Sequence, residues 1–307
     1  EKSGVPPLES LSPAQARAQY AQGAAIVAGH PPEIFATRDL EAPGPFGAIP
    51  LRLYTPRDPR GDRLPVLVYL HGGGYVIGSR DSHDVACRYL ALGGDCLVAS
   101  VDYHLAPEHP FPEPVDDCWA ALEWIAAHAP QLGGRSDALA IGGDSAGGNL
   151  AAALCLLARD RGGPGIAFQL LIYPGIDMTL GFPSQQLFAN GYRLTHSLIE
   201  WFYDQYFSGA DRNRRDPRCS VLLAEDLSRL PPTLIIGAGY DPLRDEGLAY
   251  HKRLVESGVR TRHSLYPGMI HGFINMTAFL DASRACLDEC GRELRACFAA
   301  RSTQSGD

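Results

Sequence analysis

The stretch ALAIGGDSAGGNLAAALCLLA, residues 138–158, decides the fold. Ala138 to Gly142 is a short apolar run of the kind that forms a strand buried on both faces. From Ala146 to Asp160 the residues favour helix instead. Between them, Gly143-Asp144-Ser145-Ala146-Gly147 must turn the chain so sharply that the neighbours of the serine have to lack bulk, and Gly142 and Gly148 relax the crowding further. Such a strand–turn–helix projects the Ser145 hydroxyl above the sheet, with the Ala146 N–H aimed at the same spot from a helix N-terminus. Among 33 glycines a G-x-S-x-G run is common by chance; the strand before it and the helix after it give it meaning.

The same alternation extends outward. Ile49 to Tyr54, Pro65 to Leu70, Cys96 to Val101, Phe168 to Tyr173, Thr233 to Ala238 and Arg262 to Tyr266 are further strand-like runs. Helical stretches lie at His83 to Leu92, Pro114 to His128, Pro242 to Ser257 and Thr277 to Arg295. Strand and helix in alternation predict an α/β fold with a mostly parallel, doubly wound sheet flanked by helices. Ahead of the first strand, Ser12-Pro13 reads as an N-cap and first-turn pair opening an amphipathic helix to about Val27. The interval from Tyr173 to Thr233, about sixty residues, is far longer than a crossover needs. It holds an aromatic-rich helical segment, Thr195 to Phe207, and the return DRNRRDPR, residues 211–218. We expect this insert to form a lid over the carboxyl ends of the strands, where open α/β sheets bind ligands.

Composition narrows the function. With 45% hydrophobic and 20% charged residues in 307, the chain can bury a large core without staples. The formal charge is -8, and Lys2 and Lys252 are its only lysines, so no basic stripe exists for nucleic acid. The longest near-uniform apolar stretch, Leu150 to Ala158, is about half of what a membrane span requires, and no charged-then-apolar leader opens the chain. The eight cysteines form no CxxC pair, and Cys286, Cys290 and Cys297 recur on one helix face as small buried hydrophobes. These features predict a soluble, cytoplasmic protein with reduced thiols, no metal and no cofactor.

A serine hydroxyl needs a base, and the base needs a carboxylate to fix its tautomer. Of the ten histidines, His271 follows the strand RHSLY through the turn at 267–270, which puts it at a carboxyl end; His251 falls inside a helix and His263 inside a strand. His271 is therefore the candidate base. Asp241, after TLIIGAGY, is the candidate acid, whereas Asp245 and Glu246 lie one turn into the next helix. Asp241 equally suits the N-cap of that helix, since Pro242 occupies a natural first-turn position. The order Ser145, Asp241, His271 is the one this sheet architecture favours. Finally, HGGGY, residues 71–75, follows a buried strand; its glycines let a loop approach a substrate closely and aim bare N–H groups at a developing oxyanion. No lysine follows it and no helix opens behind it, which argues against a phosphate loop, and His71 reads as a structural histidine holding the loop.

These motifs, HGGGYVIGS, DYHLAPEHPFPEPVDD, GGDSAGGNLA, LIYPGID, DPLRDEG and YPGMIHGF, occur in that order from Leu53 to Phe273. In them the chain resembles the bacterial hormone-sensitive-lipase-like esterases, family IV carboxylesterases of the α/β-hydrolase fold. The resemblance implies a catalytic triad of Ser145, Asp241 and His271 and an oxyanion hole from the amides of Gly73, Gly74 and Ala146. It also implies a helical cap made of residues 1–45 and an insertion at 178–217, on a core of residues 46–177 and 218–307. The family usually reads YRLAPE where this chain has Tyr103-His104-Leu105-Ala106-Pro107-Glu108, which leaves open what replaces the arginine's ion pair. The expected activity is hydrolysis of short-to-medium acyl esters through an acyl-enzyme. Amide or peptide hydrolysis on the same residues, or a catalytically silent small-molecule receptor, are the alternatives. The lid aromatics and the lack of an evident ionic pocket favour neutral esters. Tyr75, Trp201, Phe202 and Tyr206 are candidates to line the pocket, with packing of the lid as the competing role. An edge-strand homodimer is a family expectation alone.

Overall fold

The computed structural model describes residues 4–304 apart from 60 and 211, with side chains to residue 300. Lys2, Asp211 and the chain ends of the expected cap and core segments lie outside the described residues. Eight strands form one sheet: β1 (Ala36–Gly44), β2 (Gly47–Thr55), β3 (Leu64–Leu70), β4 (Leu97–Val101), β5 (Gly134–Asp144), β6 (Ile166–Ile172), β7 (Thr233–Tyr240) and β8 (Thr261–Ile270). Their order is β1-β2-β4-β3-β5-β6-β7-β8. The β1–β2 and β2–β4 pairs are antiparallel and the remainder parallel, as an alternating α/β chain requires.

Both faces of the sheet are covered, and the period-2 alternation of the strands shows how. Val66, Val68 and Leu70 of β3, with Leu139 and Ile141 of β5, turn to one core. There they meet α3 (Glu113–His128), α4 (Ala146–Arg161) and α7 (Arg244–Glu256). Leu67, Tyr69, Ala138 and Ala140 turn to the other, against α2 (Asp84–Gly94) and α8 (Asp281–Gln304). Cys286, Cys290 and Cys297 sit in this second core, and all eight cysteines are buried with none in a disulfide. Burial pushes the Cys96 thiol up to about 12, far from thiolate chemistry at neutral pH.

The remaining helices gather at the carboxyl end of the sheet: α1 (Pro13–Ala28), α5 (Pro183–Leu187) and α6 (His196–Tyr206). A capping box opens α1, with Ser12 Oγ accepting the Gln15 N–H and Gln15 Oε1 accepting the Ser12 N–H at 3.1 Å. The expected amphipathic face is reduced to Ala16, Ala24 and Ala28, because this helix packs through small residues. Thr195 caps α6, and Ser197 in its first turn donates to Glu9 Oε1 at 2.8 Å, so the N-terminal segment and the insertion meet over the sheet. One segment differs from expectation: residues 36–44, assigned to the cap, form β1 and pair with β2 along its full length. No helix among the described residues is long and apolar enough to cross a membrane.

Candidate active site

Ser145 connects β5 to α4 at φ 55°, a left-handed conformation that a non-glycine residue adopts only when its surroundings enforce it. The enforcement is visible at Gly147, where a Cβ would sit 1.9 Å from the Leu70 carbonyl oxygen, so helix and neighbouring strand touch backbone to backbone. Ser145 donates its N–H to the Ile172 carbonyl at 2.9 Å, which anchors the bend to β6.

The strand register brings the other groups to this point. Tyr240 of β7 pairs with Ile270 of β8, so the residues that follow them, Asp241 and His271, emerge side by side. His271 Nε2 lies 2.8 Å from Ser145 Oγ, and its Nδ1 lies 2.8 Å from Asp241 Oδ2. The second oxygen of Asp241, which is fully buried, accepts the Leu243 N–H at 2.8 Å. Asp241 thus meets the histidine, but it is not the N-cap its position also suggested: α7 opens at Arg244 with Leu243 as its N-cap, and Asp241 instead accepts the Leu243 N–H in a turn ahead of the helix. Tyr173 packs against the His271 ring at a centroid distance of 4.7 Å. His251 and His263 face each other on the far end of α7 and β8, at 5.8 Å.

The glycine loop reaches the same volume because Leu70 pairs with Gly143, setting the residues after β3 beside the serine turn. Gly73, Gly74, Ser145 and Ala146 line one cavity with His271. The N–H groups of Gly73 and Gly74 donate to no other described group, and that of Ala146 is a free donor of the first turn of α4. The loop is held from beneath by a buried polar cluster. Asp144 Oδ1 accepts the Gly72 N–H at 3.0 Å and the Tyr69 hydroxyl at 2.8 Å, and it pairs with His83 Nε2 at 3.3 Å. Burial opposes ionisation of Asp144, but the adjacent His83 charge and these hydrogen bonds outweigh it and hold its carboxyl below the usual range. Burial likewise opposes charge on His83, and Asp144 reverses this, so the imidazole titrates above its ordinary value. His71 is buried, stacks on Tyr103 at 4.4 Å, and lends its carbonyl to the Tyr103 hydroxyl at 2.8 Å; it props the loop. His104, at the position where the family usually has an arginine, pairs its Nδ1 with the buried Asp117 Oδ2.

Of the candidate pocket residues, Tyr75 and Phe202 line the cavity. Phe202 closes over the glycine loop: a Cβ on Gly74 would fall 2.2 Å from its ring. Trp201 and Tyr206 are not among the lining residues. Tyr206 is fully buried and stacks on Tyr75 at 3.8 Å, and Trp201 is half-buried against the core. Tyr20, Arg193, Tyr203 and Asn275, which the sequence did not single out, do line the cavity, along with Leu194, Leu198, Ile199 and Leu243.

A family model described as the alpha/beta hydrolase fold matches residues 67–275. The carboxylic ester hydrolase LipN of Mycobacterium tuberculosis is 46% identical over 263 residues, covering 84% of this chain and 69% of that protein. An ethyl acetate hydrolase of Pseudomonas putida is 39% identical over 282 residues, covering 90% of this chain and 88% of that protein. Among solved structures, an ester hydrolase from the metagenome of Lake Arreo, complexed with a bipyridine phosphonate derivative, superimposes with a TM-score of 0.94 at 43% identity, covering 97% of this chain and 94% of that one.

Proposed function

The chain belongs to the hormone-sensitive-lipase-like esterases of the α/β-hydrolase fold and is a carboxylic ester hydrolase, and we propose that it acts through an acyl intermediate on Ser145. His271 Nε2 takes the hydroxyl proton as Ser145 Oγ attacks the ester carbonyl. The oxyanion that develops is received by the N–H groups of Gly73, Gly74 and Ala146, each contributing about 3 kcal/mol to the transition state. The His271 imidazolium, stabilised by Asp241, then hands its proton to the departing alcohol. Water enters, gives a proton to the same imidazole and releases the acid by a second tetrahedral step.

The reading is carried by one observation: hydroxyl, imidazole and carboxylate are joined by two 2.8 Å contacts, and Gly73, Gly74 and Ala146 line the same cavity. The cavity's aliphatic and aromatic walls favour short-to-medium acyl chains, and residues 178–217 with the N-terminal segment serve as its cap. Eight buried cysteines with no disulfide among them suit a reducing, cytoplasmic compartment. β8, at a free edge of the sheet, is the surface for pairing with a second copy. Rates on 4-nitrophenyl esters of increasing acyl length test the substrate range, with a maximum expected at short to medium chains. Ser145→Ala is expected to lose at least a thousandfold in kcat/KM; near-wild-type turnover in that variant removes the proposal.

A further inference from the structure

One end of the cavity is polar, and the acyl-transfer steps leave it unused. Arg193, in the loop ahead of α6, lies against Gly272, its Nε 3.6 Å and its Cζ 3.8 Å from where a Cβ on that residue would sit. The guanidinium therefore flanks the residue next to His271. Arg193 is held at φ 68°, in the left-handed region. Arg17, Arg52 and Arg253 are committed to protein carboxylates or carbonyls. The Arg193 guanidinium, by contrast, makes no hydrogen bond or ion pair among the described residues.

Two uncharged groups line the same cavity. Tyr20 reaches it from α1, and Asn275 from the short 3-10 turn Phe273–Asn275 that follows Gly272. Neither the Tyr20 hydroxyl nor the Asn275 carboxamide has a protein partner among the described residues. Burial pushes the Tyr20 phenol up to about 12, even with Arg193 nearby favouring ionisation, so it remains an O–H donor at neutral pH. The other charged lining residue, Asp144, is occupied by His83, Tyr69 and the Gly72 N–H. Beside its aliphatic and aromatic walls the cavity thus presents one guanidinium with no protein carboxylate on it among the described residues and, lining the same space, two neutral donors, a set of groups that suits a carboxylate.

We infer that the preferred substrates are esters whose alcohol half carries a carboxylate, held by Arg193 with Tyr20 and Asn275. The inference rests on the reading of Ser145 and His271 given above. His271 protonates the leaving alcohol, so the alcohol departs on the His271 side of the serine, and Arg193 stands on that side. The neutral-ester expectation from sequence took no account of these residues, because Arg193, Tyr20 and Asn275 are distant in the chain and form no motif.

The test compares acetoxyalkanoates having two to five methylenes with their uncharged amides, which differ little in intrinsic ester reactivity. At low ionic strength and pH 7.5, kcat/KM for the anion at the best chain length is expected to exceed that for its amide at least tenfold. Arg193→Gln is expected to lower this ratio at least tenfold, Arg193→Lys to keep a preference for the anion, and 0.5 M salt to shrink the wild-type ratio. A wild-type ratio at or below one throughout, or a ratio unchanged in Arg193→Gln, overturns the inference. So does a preference seen with monoethyl succinate over ethyl succinamate but not in the acetoxyalkanoates, since the anion would then lie on the acyl half. If ethyl acetate and the amides are cleaved in a Ser145-dependent way while the ratio is one, this inference alone falls; if none is cleaved, the esterase mechanism falls with it.

Discussion

Replacing Asp241 by asparagine separates the two roles that the residue combines. Its Oδ1 accepts the Leu243 N–H at 2.8 Å and its Oδ2 faces His271 Nδ1 at 2.8 Å. Asparagine has the same shape, and its carbonyl oxygen can keep the bond to Leu243, so the turn into α7 should survive. The amide NH2 would then face Nδ1 and donate to it, leaving the proton on Nε2. In that tautomer Nε2 cannot accept the Ser145 proton, and the imidazolium formed on attack loses its buried counter-charge. A wrong tautomer in a serine triad costs about 10⁴ in kcat, close to 5.5 kcal/mol of barrier. The assay is kcat for 4-nitrophenyl acetate beside the thermal midpoint of unfolding. We expect Asp241→Asn to unfold within a few degrees of wild type while losing at least a thousandfold in kcat. If Asp241 serves only to hold the turn ahead of α7, asparagine holds it equally and activity persists; kcat within tenfold of wild type with an unchanged midpoint would refute the reasoning.

Two further perturbations probe the glycine loop and its support. Gly74→Ala would place a methyl 2.2 Å from the Phe202 ring at φ 59°. A stability loss of about 1–3 kcal/mol and a large fall in kcat/KM are expected; adding Phe202→Ala should recover part of the thermal midpoint, and no recovery would show that the clash is not the cause. His83→Gln removes the partner of Asp144. Because His83 titrates above its ordinary value in the folded chain, its contribution is complete below about pH 6.5 and is lost as pH rises through the elevated folded-state value. Asp144, held low, changes only in more acid solution. The thermal penalty of His83→Gln should therefore narrow steadily from pH 6 to pH 10, and a penalty that widens with pH contradicts the ion pair.

What could be read in advance followed from burial. β3, β5, β6 and β7 lie inside the sheet with both faces covered, so their apolar runs are continuous and their positions legible. β1 was invisible because it is an edge strand: Ala42 is the one fully buried residue of ATRDLEAPG, and it gains its conformation from pairing with β2 rather than from a pattern of its own. The serine turn and the His271–Asp241 neighbourhood were legible because strand ends place them, and strand ends show in sequence. The cavity walls were not. Phe202 and Tyr206 lie one helical turn apart in α6, yet Phe202 covers Gly74 while Tyr206 is buried against Tyr75; only the docking of the lid decides which face opens to substrate. Arg193 and Tyr20 belong to segments with no common periodicity, brought together by the meeting of α1 with the insertion.

Quenching the reaction with 4-nitrophenyl acetate during its first turnovers and mapping the modified peptide by mass spectrometry tests the covalent step itself. The account predicts one acetyl group on Ser145, accumulating in wild type and absent from Ser145→Ala. Steady ester cleavage with Ser145 unmodified throughout, or with the acetyl group on another side chain, would contradict it.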